Sequence, residues 1–148
     1  MCGIAGLIHK GKSSNVGGEM TAMLQALKHR GPDSTGYAVY GEATEGDYIM
    51  RVNVAEAEDM DCGRGIHAVI ESRIAMVEEI LAENGAKIKS KENATEYALR
   101  YVLTHDGDSA KMAAEIEEAE GVEIMSMGNG LELIKDLGDA PVVSEQYS

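Results

Sequence analysis

The hydrophobic and polar positions of this chain change rhythm several times. Ile4 to Ile8 is a short apolar run near the N-terminus and reads as a buried strand. Met20, Met23, Leu24 and Leu27 recur at i, i+3, i+4 and i+7, the stripe of a helix. Gly31 and Pro32 end that helix, because neither continues helical backbone without cost. Tyr37 to Tyr40 predicts a second short strand. Tyr48, Met50, Val52 and Val54 alternate with Ile49, Arg51 and Asn53, the period of a strand. Ile70, Ile74, Val77 and Leu81 share one helix face, stopped by Asn84-Gly85. Upstream, Ile66, Ala68 and Ile70 fit a strand as well as a helix. Lys87 to Lys91 is a lysine-rich strand suited to a sheet edge. Tyr97, Leu99, Tyr101 and Leu103 alternate again. Asp108-Ser109 caps a helix that carries Met112, Ala113, Ile116 and Ala119 and ends at Gly121. Val122, Ile124 and Ser126 predict a last strand, and Leu131, Ile134 and Leu137 a final short helix.

Residues 47–127 therefore arrive in the order β-α-β-β-α-β, the split-βαβ or ferredoxin-like pattern. The expectation is one four-stranded antiparallel sheet with two helices on one face. The first 45 residues differ in character and hold much of the glycine punctuation. The boundary falls near Gly41 to Gly46, which gives an N-terminal piece over 1–45 and an α+β part over 46–148. A length of 148 residues suits one ordinary domain or two small ones.

Composition narrows the function classes. The chain is 44% hydrophobic and 26% charged, a globular balance. Thirteen basic residues against 26 acidic ones give a net charge of -13. Such a chain lacks the basic face of an electrostatic nucleic-acid binder. The same charge disfavours docking on anionic membranes. No apolar run approaches the ~18 residues of a transmembrane helix. The N-terminus lacks a signal pattern. Two cysteines, Cys2 and Cys62, are too few for a disulfide scaffold, so a reducing, cytoplasmic setting is expected.

Cys2 is the sharpest chemical feature. Removal of Met1 leaves a thiol and a free α-amine two carbons apart. An α-amine has a pKa of ~7.7–8.0, so part of it is unprotonated near neutrality and can take the thiol proton. The thiolate is the attacking species. The second feature is the turn Arg30-Gly31-Pro32-Asp33-Ser34-Thr35-Gly36, in which Arg30 and Asp33 can form a charge-assisted pair. Cys62 reads as a loop thiol. His9, His29, His67 and His105 share no short metal spacing, so no metal site is expected. Gly128-Asn129-Gly130 lacks the Lys-Ser/Thr of a phosphate loop. Asn129-Gly130 reads as a turn. The acidic run Glu115-Glu117-Glu118-Glu120 reads as a solvated helix face.

Met-Cys-Gly-Ile-Ala-Gly-Leu-Ile at the start, followed by Lys28-His29-Arg30-Gly31-Pro32-Asp33-Ser34-Thr35-Gly36-Tyr37-Ala38-Val39-Tyr40, resembles the N-terminus of class II glutamine amidotransferases. The long segment after the second strand looks most like the stand-alone amidotransferase subunits of the glutamate synthase and N-methylglutamate synthase group. The resemblance implies an α+β fold: part of an αββα N-terminal-nucleophile sandwich followed by a ferredoxin-like βαββαβ insert. It implies that Cys2 is the nucleophile that forms a glutamyl thioester and that its own α-amine is the base. It implies that Arg30 and Asp33 support the nucleophile end, and that Gly3 and Gly6 belong to a close-packed first strand. Glutamine would be the substrate and one or more synthase subunits the protein partners. No cofactor is expected in this chain; any flavin or iron-sulfur centre would sit on those partners. The glutamine clamp and the oxyanion hole of the family are not recognisable here. The chain is therefore expected to be partial and inactive alone, with Ile4, Leu7, Met20, Met23, Leu24 and Leu27 lacking a facing layer. The alternative is a non-catalytic binding, regulatory or interaction subunit built on the ferredoxin-like part.

Overall fold

The computed structural model describes residues 2–11, 15–31, 33–42, 45–56, 59–60, 63 and 65–147. Met1, Pro32 and Cys62, each the subject of an expectation, lie outside the described residues. The elements follow in the order α1 (Val16–Ala26), a 3-10 turn (Lys28–Arg30), β1 (Ser34–Tyr40), β2 (Tyr48–Asn53), α2 (Ile66–Glu83), β3 (Lys87–Asn93), β4 (Ala98–Thr104), α3 (Ser109–Glu117), β5 (Glu123–Gly128), β6 (Leu131–Leu137) and α4 (Ala140–Gln146). The fold is mixed α+β. One sheet has four strands in the order β3-β4-β2-β5, and β1 pairs with β6 in a two-stranded sheet. The chain divides into two compact units, Met1–Tyr37 with Lys135–Ser148, and Ala38–Ile134.

The larger unit holds the main core. The alternation of β2 and β4 turns Met50, Val52, Leu99, Tyr101 and Leu103 inward, all fully or almost fully buried. Val77 and Leu81 of α2 and Met112 and Ile116 of α3 are buried as well. β2 runs antiparallel to β4 and to β5, and β3 antiparallel to β4. The four-stranded antiparallel sheet expected over 47–127 is thus present. The ambiguous start of α2 resolves as helix from Ile66. Helix ends follow local chemistry. Gly85 and Gly121 adopt φ +75° and +76°, the left-handed region that glycine enters freely. The Asp108 side chain accepts from the Ala110 and Lys111 amides at 3.0 and 3.1 Å, the N-cap its sequence position suggests.

The other face of the sheet carries a charged knot. Arg51 and Arg100 are direct cross-strand partners. Left alone, two like charges so placed repel. Glu132 of β6 lies between them, accepting from Arg51 Nε at 2.7 Å and from Arg100 Nε at 2.8 Å. Burial alone pushes the Glu132 carboxyl up, but the Arg100 and Arg51 guanidiniums outweigh it and hold the group below the usual carboxylate range. On the helix side, burial pushes the Tyr101 phenol up, and the nearby Glu78 carboxylate adds to the effect.

Two local expectations are overturned. Leu131, Ile134 and Leu137 suggest a helix by their spacing, but they lie in β6. β1 offers a pairing strand, and the Glu132 contacts suit an extended chain, so tertiary pairing overrides the spacing. Ile4 to Ile8 is neither a strand nor buried, since Ile4 and Ile8 are 91% and 93% exposed. The run has no regular secondary structure, with Gly3, Ala5 and Leu7 half-buried, and has no pairing strand among the described residues. In the smaller unit, α1 has no fully buried residue. It packs against α4, a helix that the sequence pattern did not indicate.

Ile116 is fully buried, so Ile116→Ala should cost ~2–5 kcal/mol by chemical denaturation, through lost burial plus a cavity. Glu132→Gln should cost about 1–3 kcal/mol at pH 7, because it removes the anion between two arginines. A carboxyl held low in the folded state stabilises above its unfolded pKa of ~4.3 and loses that contribution as pH falls through its folded value. Denaturation curves of wild type and Glu132→Gln should therefore converge progressively below that pH.

Candidate active site

The smaller unit contains a cleft of about 260 Å³. Cys2, Lys28, Arg30, Asp33, Thr35 and Asp139 supply its polar chemistry, while Leu24, Leu27 and Ala140 supply apolar wall. Cys2 thus meets Arg30 and Asp33, from about thirty positions further along the chain, on one surface.

Each wall has a local cause. The helix stripe ends at Leu27, and the 3-10 turn follows, with Arg30 N donating to Leu27 O at 2.8 Å. That tight turn brings Lys28 and Arg30 to the rim. Opposite Leu27, a Cβ on Gly3 would lie 3.1 Å from the Leu27 Cβ, so the backbone beside Cys2 approaches the end of α1 as only glycine allows without a shift. Gly6 has open space where a Cβ would stand. Its packing role expected from the sequence has no basis among the described residues.

The third wall is the segment Gly138 to Ala140, and three hydrogen bonds hold it. Gly138 N donates to Asp33 O at 3.1 Å. Thr35 Oγ1 donates to Gly138 O at 2.8 Å. Tyr37 Oη donates to Ala140 O at 2.9 Å. Between them stands Asp139, whose Oδ2 accepts from Gln25 Nε2 at 3.3 Å. Asp139 occupies the N-cap position of α4, yet its side chain caps nothing there. Behind the wall, Tyr147 Oη donates to Asp136 Oδ2 at 3.0 Å.

The cleft combines an exposed thiol with two cations and two carboxylates. That set suits a small polar or zwitterionic ligand, held near the thiol. The sequence pattern missed Asp139, Gln25, Thr35 and Tyr37. Gly138-Asp139-Ala140-Pro141 is a helix-start signal, with an acidic N-cap followed by an early proline. It is obscured when the preceding residues are read as helical.

The other candidates fall elsewhere. Asn129 and Gly130 join β5 to β6 and do not line the cleft. The expectation of a helix after them gives way to β6. His9 pairs with Glu19 at 2.8 Å, and His105 is buried at the end of β4. Among the described residues, no group of three or more His, Cys, Asp or Glu side chains is placed to hold a metal ion. None of the described helices is long and apolar enough to cross a membrane.

Residues 1–61 match the family model of the glutamine amidotransferase domain. The chain is 33% identical over 150 residues to a protein of Methanothermobacter thermautotrophicus named "Putative glutamine amidotransferase", an alignment covering 99% of this chain and 47% of that protein. It is 31% identical over 140 residues to the glutamine amidotransferase-like protein GlxB of Rhizobium meliloti, covering 93% of this chain and 42% of that one. The chain spans about half the length of the curated relatives it matches, and its similarity to them runs over nearly all of its own length.

Proposed function

We propose that this chain carries the nucleophile end of a class II glutamine amidotransferase, which releases ammonia from glutamine for a synthase partner. The observation that carries this reading is the meeting of Cys2 with Arg30 and Asp33 on one cleft, within the stretch that matches the amidotransferase domain. In this reading residues 1–45 belong to an N-terminal-nucleophile sandwich, and 46–148 are a ferredoxin-like insert. The strand order β3-β4-β2-β5 and the β-α-β-β-α-β chain order support the second assignment.

The chemistry runs through Cys2. Its α-amine, freed by removal of Met1, takes the thiol proton. The thiolate attacks the side-chain amide carbon of glutamine, and the C–N bond breaks as the ammonium returns its proton to the departing ammonia. Water then adds to the thioester, giving glutamate and the free thiol. Lys28 and Arg30 face the same cleft and offer positive charge to a substrate carboxylate. The oxyanion that develops needs preorganised donors. Any flavin or iron-sulfur chemistry belongs to the synthase subunits.

A second reading, an interaction subunit, is favoured by one observation: Ile4 and Ile8, on the segment that follows Cys2, are almost fully exposed. Large apolar side chains so exposed suit coverage by further polypeptide.

Ammonia release from glutamine by the full-length protein, with and without candidate synthase subunits, tests the proposal. Cys2→Ala should abolish release, by roughly three orders of magnitude or more. Ammonia release unchanged in Cys2→Ala would overturn it.

A further inference from the structure

Asp139 is a carboxylate with no local structural duty. It sits at the start of α4 without capping it, although Asp is among the residues best suited to that task. Its side chain is held by Gln25 and lies along the same cleft as Cys2. Its backbone is fixed on both sides, through Gly138 to Asp33 and Thr35 and through Ala140 to Tyr37. The Gln25 Oε1 atom is itself buried and has no hydrogen-bond partner among the described residues. A buried amide oxygen left unpaired has a cost, so Gln25 is held here by its other end, the Nε2 bond to Asp139.

We propose that Asp139, oriented by Gln25, is the counter-ion that receives the α-ammonium of Cys2 in the processed protein. This rests on the reading of Cys2 as the first residue of the mature chain. Thiol and amine of an N-terminal cysteine are two carbons apart, and Cys2 lines the cleft that Asp139 also lines. When the amine takes the thiol proton it becomes a cation, and the sulfur an anion. A fixed carboxylate stabilises the cation, which makes the amine the stronger base. Lys28 and Arg30 from the 3-10 turn complement the sulfur anion, and Asp33 from the following turn is the second carboxylate on the cleft. No proton passes to Asp139; it is a positioning residue that acts through charge. Gln25 acts one step further back, by fixing the carboxylate.

The test uses the full-length protein prepared with Cys2 as its first residue, by cleaving an N-terminal fusion immediately before it. Mass spectrometry confirms the new terminus. Cys2 carries a ¹⁵N label, and the titration of its α-amine is followed by NMR. Asp139→Asn should lower the titration midpoint by about one pH unit or more, the scale expected for a lost opposite charge at close range. Asp139→Glu should restore part of the shift, and Gln25→Leu should give a smaller decrease. Circular dichroism and the Ile116 core signals should be unchanged in all three. An amine midpoint that does not move in folded Asp139→Asn overturns the inference. Because the readout is a titration and not glutamine turnover, its failure is distinct from failure of the glutaminase reading. Should Asp139→Asn not fold, Gln25→Leu carries the test: an unmoved midpoint there overturns the inference equally.

Discussion

The cleft depends on the docking of the segment Gly138 to Ala140 against the turn and strand that begin at Asp33. Two of the three hydrogen bonds come from side chains, Thr35 and Tyr37, that face the same way because they alternate along β1. The third joins backbone to backbone at Asp33. Together they close a wall from residues about a hundred positions apart in sequence. Each such bond contributes only about 0.5–1.5 kcal/mol net. Their larger effect is geometric, since they hold Asp139 along the cleft that Cys2 also lines.

The larger unit solves a separate problem. Its sheet places two arginines directly opposite each other on one face, and the chain answers with a single glutamate from β6. The opposite face is a continuous apolar core from Met50 and Tyr101 to Ile116. Charged and apolar faces follow from the period-two alternation of the same strands. This sheet is therefore specified twice over. A one-residue slip would bury Arg51 and Arg100 and expose Met50 and Leu103.

Much of this was legible in the sequence. The four-stranded sheet could be read because its strands alternate cleanly, and its helices because Ile70, Val77 and Leu81 repeat at helical spacing. The Asp108 cap and the Gly85 and Gly121 stops obey local rules that need no tertiary knowledge. Cys2 and the Arg30 to Gly36 motif were visible in the sequence, and the structure brings Cys2 together with Arg30 and Asp33 on one cleft. What failed depended on distant partners. β6 carries Leu131, Ile134 and Leu137 at a helix-like spacing and becomes a strand beside β1. Ile4 to Ile8 has the composition of a buried strand, yet forms none and leaves Ile4 and Ile8 exposed. Asp139 was hidden because its significance lies in Gln25 and Cys2, and not in its neighbours along the chain.

The central claim is that Cys2 is the nucleophile of a glutamine-processing cleft. Reaction of the full-length protein with a glutamine-analogue electrophile, followed by intact mass and peptide mapping, tests it most directly. The account predicts a single adduct on Cys2, formed more slowly when glutamine is present in excess. An adduct on Cys62 instead, or labelling of Cys2 that excess glutamine does not slow, would contradict it.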